Sequence, residues 1–432
     1  MLNVKPFRAL RFTKKAGEIS ALCCPPYDII NDEQRRAYLA ANPHNIIRLE
    51  LPREGAEPYK TAGETLTKWL DEDILQQDDT AGIYIYEEEF TVGGELKRVK
   101  GFVSLVKLEE FSKGIILPHE ETLSKAKGDR FDLMSATFCN FSQIYSLYFD
   151  KNRKVSQLLE KLSGGEPQQQ FTAEDGVTHR LWCVYDKDET ALLQKLMSDK
   201  KAYIADGHHR YETALNFKAK LQAEGIIKNE NHPANYVMMT LVSMENEGLV
   251  VFPTHRIVKN LKSFDKKALL TSCQKYFDIE EKTGDCAKIE KALGEKYIDN
   301  KKAMVLYTGA DKWQLLTLKD SGIMDELLPH SSEAYKTLDV SILHTLVLER
   351  IFGIDKENMA NQTNLAYTRS AAEAMSSVDA GEGNCAFIIN PTRVSEIAQV
   401  AEAKEKMPQK STYFYPKLIT GMVMNSLREM EH

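Results

Sequence analysis

The stretch Ala202-Tyr203-Ile204-Ala205-Asp206-Gly207-His208-His209-Arg210-Tyr211-Glu212-Thr213-Ala214-Leu215 decides how this chain is read. Tyr203, Ile204 and Ala205 form the apolar end of a short buried strand. Asp206-Gly207 is a turn signal, and glycine permits backbone angles that a side chain would block. From Tyr211 the pattern turns helical, with Tyr211, Ala214, Leu215 and Ala219 at helical spacing. Two histidines and an arginine are held between strand and helix. The start of a helix leaves N–H groups without an internal acceptor and carries positive potential, which suits phosphate. Arg210 can grip such an anion through two parallel hydrogen bonds. His208 and His209 can donate to phosphate oxygens or move a proton near neutral pH. Asp206, Gly207, His208, His209 and Arg210 are therefore the expected phosphate or nucleotide site, with both histidines as catalytic candidates.

Outward from this turn, two more strands end at a proline followed by polar residues. Ile115-Ile116-Leu117-Pro118 delivers His119 and Glu120, and Leu249 to Phe252 with Pro253 delivers Thr254, His255 and Arg256. Strand ends carry catalytic groups in many mixed folds. Glu120 is the candidate general base, with Glu121 second, because a carboxylate can accept a hydroxyl proton. His119, Thr254, His255 and Arg256 are expected to touch substrate, Arg256 through planar, bidentate contacts. Ser124 to Arg130 reads as a basic loop able to neutralise phosphate charge, before a helix over 132–140. In Met407 to Lys417, Lys410, Ser411 and Thr412 precede an aromatic cluster and are expected to close over a substrate.

The remaining pattern supplies a scaffold. Phe7 to Ile30 reads as extended, its prolines placing Tyr27 and Asp28 at a site rim. A capped helix over 31–41, a strand at Ile46 to Leu49 and an amphipathic helix over 59–70 follow. Ile83 to Val92, Gly93-Gly94 and Leu96 to Leu108 read as a hairpin, with Glu87, Glu88 and Glu89 at its solvated end. Tyr236 to Val242 is a continuous apolar strand. From about Asn260 lysine-rich helical segments begin, then a hairpin-like pair, an amphipathic helix over 340–352 on which His344 packs, and a second β-α-β pattern. The fold expected is α+β, a mixed α/β arrangement. Two domains are expected: 1–260 with the phosphate site, and a further α/β domain, 261–432, with 407–417 as closing segment.

The 432 residues carry a net charge of -7, which argues against a general nucleic-acid binder. Seven cysteines are scattered without a Cys-x-x-Cys pair, so neither a disulfide framework nor a thiolate zinc site is expected. The first residues lack the apolar core of a signal peptide, and no apolar run spans a bilayer. A cytoplasmic protein with reduced thiols is expected. No Walker loop or Rossmann fingerprint appears.

The turn Asp206-Gly-His-His-Arg-Tyr-Glu-Thr-Ala resembles the phosphate-binding turn of the ParB/sulfiredoxin-like superfamily. Sulfiredoxins carry Gly-Cys-His-Arg-Tyr there, so Gly207, His209 and Arg210 look like their Gly, His and Arg. His208 stands where sulfiredoxin has its reactive cysteine, and without that thiol sulfiredoxin chemistry is not expected. The free-serine kinases of the superfamily carry a similar Asp-Gly-His-His-Arg turn. The whole chain also resembles a widespread prokaryotic family of unassigned function, often labelled ParB-related. The matching blocks are Pro6 to Leu10, Pro25 to Asp28, Leu117 to Glu120, the central turn, Pro253 to Arg256 and Met407 to Lys417.

The resemblance implies a ParB/sulfiredoxin-like nucleotide-binding core. It implies phosphotransfer between a nucleotide, ATP or ADP, and a small hydroxyl compound, with serine and phosphoserine as the leading pair. Glu120 would be the base, and Asp206 would help place Mg²⁺. A phosphatase using water as acceptor is the near variant. Two alternatives stand beside it: a ParB-like nucleotide-responsive module, and a metal-dependent hydrolase built on His119, His208, His209 and His255. A small-molecule substrate and a nucleotide are the expected partners, with a homodimer as a possibility and neither membrane nor nucleic acid.

Overall fold

The computed structural model describes residues 1–120 and 124–428, with the side chains of 124–126 outside that description. Glu121 and the Lys125 side chain therefore lie outside the described residues. The protein is a mixed α/β chain that packs as two compact units. The first takes in Met1–Pro118, the chain up to Val250, and the segment after Tyr415. The second takes in His119 and Glu120 with Val251–Tyr415.

The first unit is built on a nine-stranded sheet. The apolar strand Tyr236–Ser243 is buried at every position and lies at the centre of the sheet, as its unbroken apolar run requires. It pairs antiparallel with Glu95–Lys107 and parallel with Ile144–Tyr148. Ile144–Tyr148 runs antiparallel to Ala202–Asp206, which pairs parallel with Ile116–Leu117 at the edge. On the other side the hairpin of Ile83–Val92 and Glu95–Lys107 extends the sheet to Thr178–Val184 and Gln169–Thr172. The helix His208–Ala223 turns Tyr211, Ala214, Phe217 and Leu221 into the core beside Ile144 and Val237. Helix Ser124–Thr137 packs against it.

Several local expectations are corrected here. Ile46 to Leu49 is not a strand: a short helix, Ile47–Glu50, forms instead. The Asn45 side chain accepts from Ile47 N at 2.9 Å, a local bond that favours the turn over extension. The basic loop at 124–130 is the first half of helix Ser124–Thr137. Within it, Lys127 pairs with Glu212 at 2.8 Å and Arg130 is buried. Glu87, Glu88 and Glu89 do not form a solvated end, because side chains of their own and the neighbouring strand answer them. Glu87 and Glu89 pair with Arg180 at 2.9 and 3.2 Å. Glu88 is buried and accepts from the Tyr86 hydroxyl at 3.0 Å, and that hydroxyl lies 2.7 Å from His179 Nδ1.

The second unit is a six-stranded, wholly antiparallel sheet. Its order is Phe277–Thr283, Lys312–Leu318, Ala303–Tyr307, Cys385–Ile389, His255–Val258 and Leu365–Thr368. Ile289 and Leu293 of helix Cys286–Ile298, and Ala374 and Val378 of helix Ala371–Asp379, pack on Val305, Leu315 and Ile388. The expected continuous helix over 340–352 is a short α-turn, Asp339–Ile342, followed by a π-helix, Leu343–Glu349. Among the described residues no helix is long and apolar enough to cross a membrane.

Candidate functional site

In the first unit the strand Ala202–Asp206 ends with a register shift between Ile204 and Asp206. Gly207 follows in the left-handed region, φ 93° and ψ 26°, and the helix starts at His208. The helix therefore begins three residues before the apolar spacing suggested, and both histidines stand in its first turn. Glycine is required at 207 for two reasons. Its φ is one that side-chain-bearing residues rarely adopt, and a Cβ there would lie 3.0 Å from Nε and Nη2 of Arg210.

Arg210 is fixed from two sides. Its Nη1 donates to Gln143 O at 2.5 Å and its Nη2 to Asp206 Oδ2 at 2.7 Å. The other Asp206 oxygen accepts from Lys417 Nζ. All three side chains are largely buried. Burial alone would push the Asp206 carboxyl up, but the Lys417 ammonium and the Arg210 guanidinium hold it well below the usual carboxylate range. With two cations and one anion, the cluster keeps one net positive charge at the head of a helix. His208 is buried, and its charge when protonated would add to the same field.

Behind Arg210 lies a cavity of about 30 Å³, lined in part by Glu50, Arg130, Ser142 and Thr213. Glu50 is buried, and its Oε1 accepts from Ser142 Oγ at 2.8 Å. Arg130 Nη1 donates to Glu50 O at 2.8 Å and lies 3.6 Å from Oε1. The guanidinium of Arg130 sits 4.0 Å from the ring centre of Tyr27, which gives that tyrosine a supporting place. Burial raises the Glu50 carboxyl, opposed by Arg130 and Arg210.

The remaining sequence candidates belong to the second unit. Met407 N donates to His119 O at 2.7 Å, and His119 Nε2 lies 3.0 Å from Thr412 Oγ1. Glu120 Oε1 accepts from Lys410 N at 3.2 Å. Arg256 is fully buried; its Nη2 donates to Gln409 O and Lys410 O at 3.2 and 3.1 Å, and its Nη1 to Thr254 O. His255 is buried and its Nδ1 accepts from Ile389 N at 3.4 Å. Burial, with Arg256 adjacent, lowers its pKa to about 4, so it is neutral at pH 7. The structure thus gathers His119, Glu120, Arg256 and Lys410–Thr412 in one place, and Asp206–Arg210 in the other unit. Lys410 takes part through its backbone, and the Ser411 hydroxyl donates to Pro408 O, closing its own turn.

Four participants escaped the sequence. Lys417 closed the aromatic block without being assigned a role. Gln143 acts through its carbonyl, which no side-chain pattern reveals. Glu50 and Ser142 do carry a signal, as polar residues beside buried apolar runs.

A Mg²⁺ ion does not fit at Asp206 as the side chain stands, since both oxygens are taken by cations. Among the described residues, no three His, Cys, Asp or Glu side chains gather as a metal site.

The geometry defines a mixed α/β protein in which a strand, a left-handed glycine and a helix start hold Asp206 and Arg210 together. Residues 4–341 match the family described as "Protein of unknown function (DUF1015)", and the chain belongs to that family. No curated protein matches. Among solved structures, a free serine kinase in complex with AMP is similar at 13% identity and a TM-score of 0.37, covering 75% of this chain and 90% of that one. A conserved hypothetical protein from Pyrococcus furiosus is similar at 14% identity and a TM-score of 0.36, covering 75% and 95%. SbnI with a C-terminal truncation, from Staphylococcus aureus, is similar at 11% identity and a TM-score of 0.35, covering 74% and 86%.

Proposed function

We propose that the chain is a nucleotide-dependent phosphotransferase acting on a small hydroxyl metabolite. Serine and phosphoserine are the first pair to test, and water as acceptor would give a phosphatase. The observation that carries this reading is the Asp206–Arg210 turn. A left-handed glycine opens a helix directly after a sheet strand, and Arg210 is fixed beside it with Lys417 across the same carboxylate. Such a turn supplies aligned N–H groups and a net positive charge where a phosphate would sit. The resemblance of Asp206-Gly-His-His-Arg to the free-serine kinase turn points to the same chemistry.

In the proposed reaction the acceptor oxygen bonds to the terminal phosphorus as the bridging bond to the nucleotide breaks. The acceptor proton leaves to a base, for which the sequence nominates Glu120, and the nucleotide carries away the bond's electron pair. His208 or His209 would donate to the moving phosphoryl group. Arg210 and the helix start would hold the nucleotide phosphates. Nucleotide phosphates commonly bring Mg²⁺ with them, and no protein ligand is assigned to that ion here.

Phosphorus NMR tests the proposal with three samples containing Mg²⁺: ATP with serine, ADP with phosphoserine, and phosphoserine alone. Arg210→Ala and Glu120→Gln accompany each. A phosphoserine or nucleotide signal lost in both variants supports the reading and gives the direction. Free phosphate from the third sample makes the enzyme a phosphatase. Silence in all three, with ATP still bound by the wild type, sinks the serine reading and favours a ParB-related nucleotide-responsive module.

A further inference from the structure

The fully buried Arg256 does not fit the arrangement of an ordinary structural arginine. Its Nη atoms are used on the backbone carbonyls of Thr254, Gln409 and Lys410, yet its Nε has no hydrogen-bond partner in the protein. Among the described residues no carboxylate lies within ion-pair distance of it. A buried guanidinium without a counter-charge is costly, and proteins ordinarily pair it. Glu120 is near enough to act on Arg256 through its field but does not touch it.

Two further residues that feel the charge of Arg256 carry a buried polar atom without a protein partner. Tyr367 is the cross-strand partner of Arg256, its ring centre lies 5.4 Å from the guanidinium, and its buried hydroxyl has no protein partner. His344 is 6% exposed, its Nε2 also has no protein partner, and it feels the charge of Arg256. His344 lies on the π-helix Leu343–Glu349, a rare geometry that occurs frequently at functional sites.

We propose that the second unit carries a ligand site of its own, in which Arg256 Nε, the Tyr367 hydroxyl and His344 Nε2 together bind the carboxylate of a small metabolite. One guanidinium N–H with two neutral polar groups would suit the two oxygens and single charge of a carboxylate. Burial keeps His344 neutral, so the site offers one positive charge rather than two. The field of Glu120 disfavours a phosphate dianion at the same place. This inference is independent of the phosphotransfer reading, because it concerns binding and needs no turnover.

The test is acetate binding to the full chain by calorimetry, with inorganic phosphate as the contrasting anion. Tyr367→Phe keeps the stacked ring and removes only the hydroxyl. Losing one hydrogen bond to a charged group weakens acetate about 10- to 100-fold. Without acetate, Tyr367→Phe should melt at the wild-type temperature or above it, since a buried hydroxyl without a protein partner has gone. Arg256→Lys keeps the charge and should lose most of the acetate affinity while the chain stays folded by circular dichroism. No acetate binding by the folded wild type overturns the proposal. So does unchanged affinity in Tyr367→Phe, or phosphate binding more tightly than acetate.

Discussion

Asp206 is the internal counter-ion of Arg210 and Lys417 in the proposed phosphate turn, and Asp206→Asn separates its two conceivable roles. In the wild type one carboxylate serves Arg210 at 2.7 Å and Lys417 on its other oxygen, leaving one net positive charge. Asparagine keeps the shape and removes the charge, so the same site carries two. Removing one partner of a buried ion pair costs 3–5 kcal/mol. Here the side chains remain 10–18% exposed, so a cost near the lower end, about 3 kcal/mol, is expected. Anion binding should move the other way. A phosphate charge about 5 Å from the carboxylate is repelled by about 3 kcal/mol at an effective dielectric constant of about 20. Part of that is screened, so affinity for ATP should rise by about tenfold, equivalent to 1.4 kcal/mol. Urea unfolding gives the stability and calorimetry the affinity, each with and without Mg²⁺. Lower ATP affinity in Asp206→Asn, seen only with Mg²⁺, would show that the carboxylate acts on the ligand through the metal, and the counter-ion argument would be refuted.

Three other outcomes are expected. Gly207→Ala places a Cβ 3.0 Å from the Arg210 guanidinium and holds alanine at φ +93°, so it should cost about 1–2 kcal/mol and displace Arg210; wild-type stability with unchanged ATP affinity would contradict this. The Tyr86–Glu88–His179 cluster should give a stability plateau between about pH 4.5 and 6.5. Burial raises Glu88 from 4.5 to about 8, so its contribution falls as pH rises across that interval, whereas burial lowers His179 from 6.5 to about 3, so its contribution falls as pH drops. Each slope is at most about 1.4 kcal/mol per pH unit, and Glu88→Gln should remove the alkaline slope and turn the plateau into a continued rise up to about pH 6.5; urea midpoints measured across pH would expose a variant whose plateau and alkaline slope persist. Finally, Ser142→Ala leaves Glu50 Oε1 without its 2.8 Å donor beside Arg130 and should cost about 1–3 kcal/mol by urea unfolding, an unchanged midpoint speaking against a hydrogen-bonded buried carboxylate.

Much of the candidate site was legible because it is local. Asp206, Gly207 and Arg210 lie within five residues, and turn glycine, helix start and arginine each leave a compositional mark. The hairpin at 83–107 was legible for the same reason: alternation, a Gly-Gly turn, then alternation again. Glu87–Glu89 misled because charge in a strand signals solvent only where no neighbouring side chain answers it, and which strand brings Arg180 alongside is not a local property. Ile46 to Leu49 misled because a short apolar run suits a strand or a buried turn equally, and Asn45 selected the turn. The helix start at His208 was missed because its first turn is polar, while periodicity registers only residues that pack.

The sequence by itself determined the mixed α/β class, the strand–glycine–helix turn and the residue types able to hold an anion, since these follow from backbone conformation and nearest neighbours. Only the tertiary structure decided who answers those residues. It brought Lys417 and Gln143 to Asp206 and Arg210 across long stretches of chain. It buried Glu50 beside Arg130, and it left Arg256 inside the second unit with Tyr367 and His344 but no ion-pair partner among the described residues. Charges act through space and burial, and a linear chain specifies both only once it has folded.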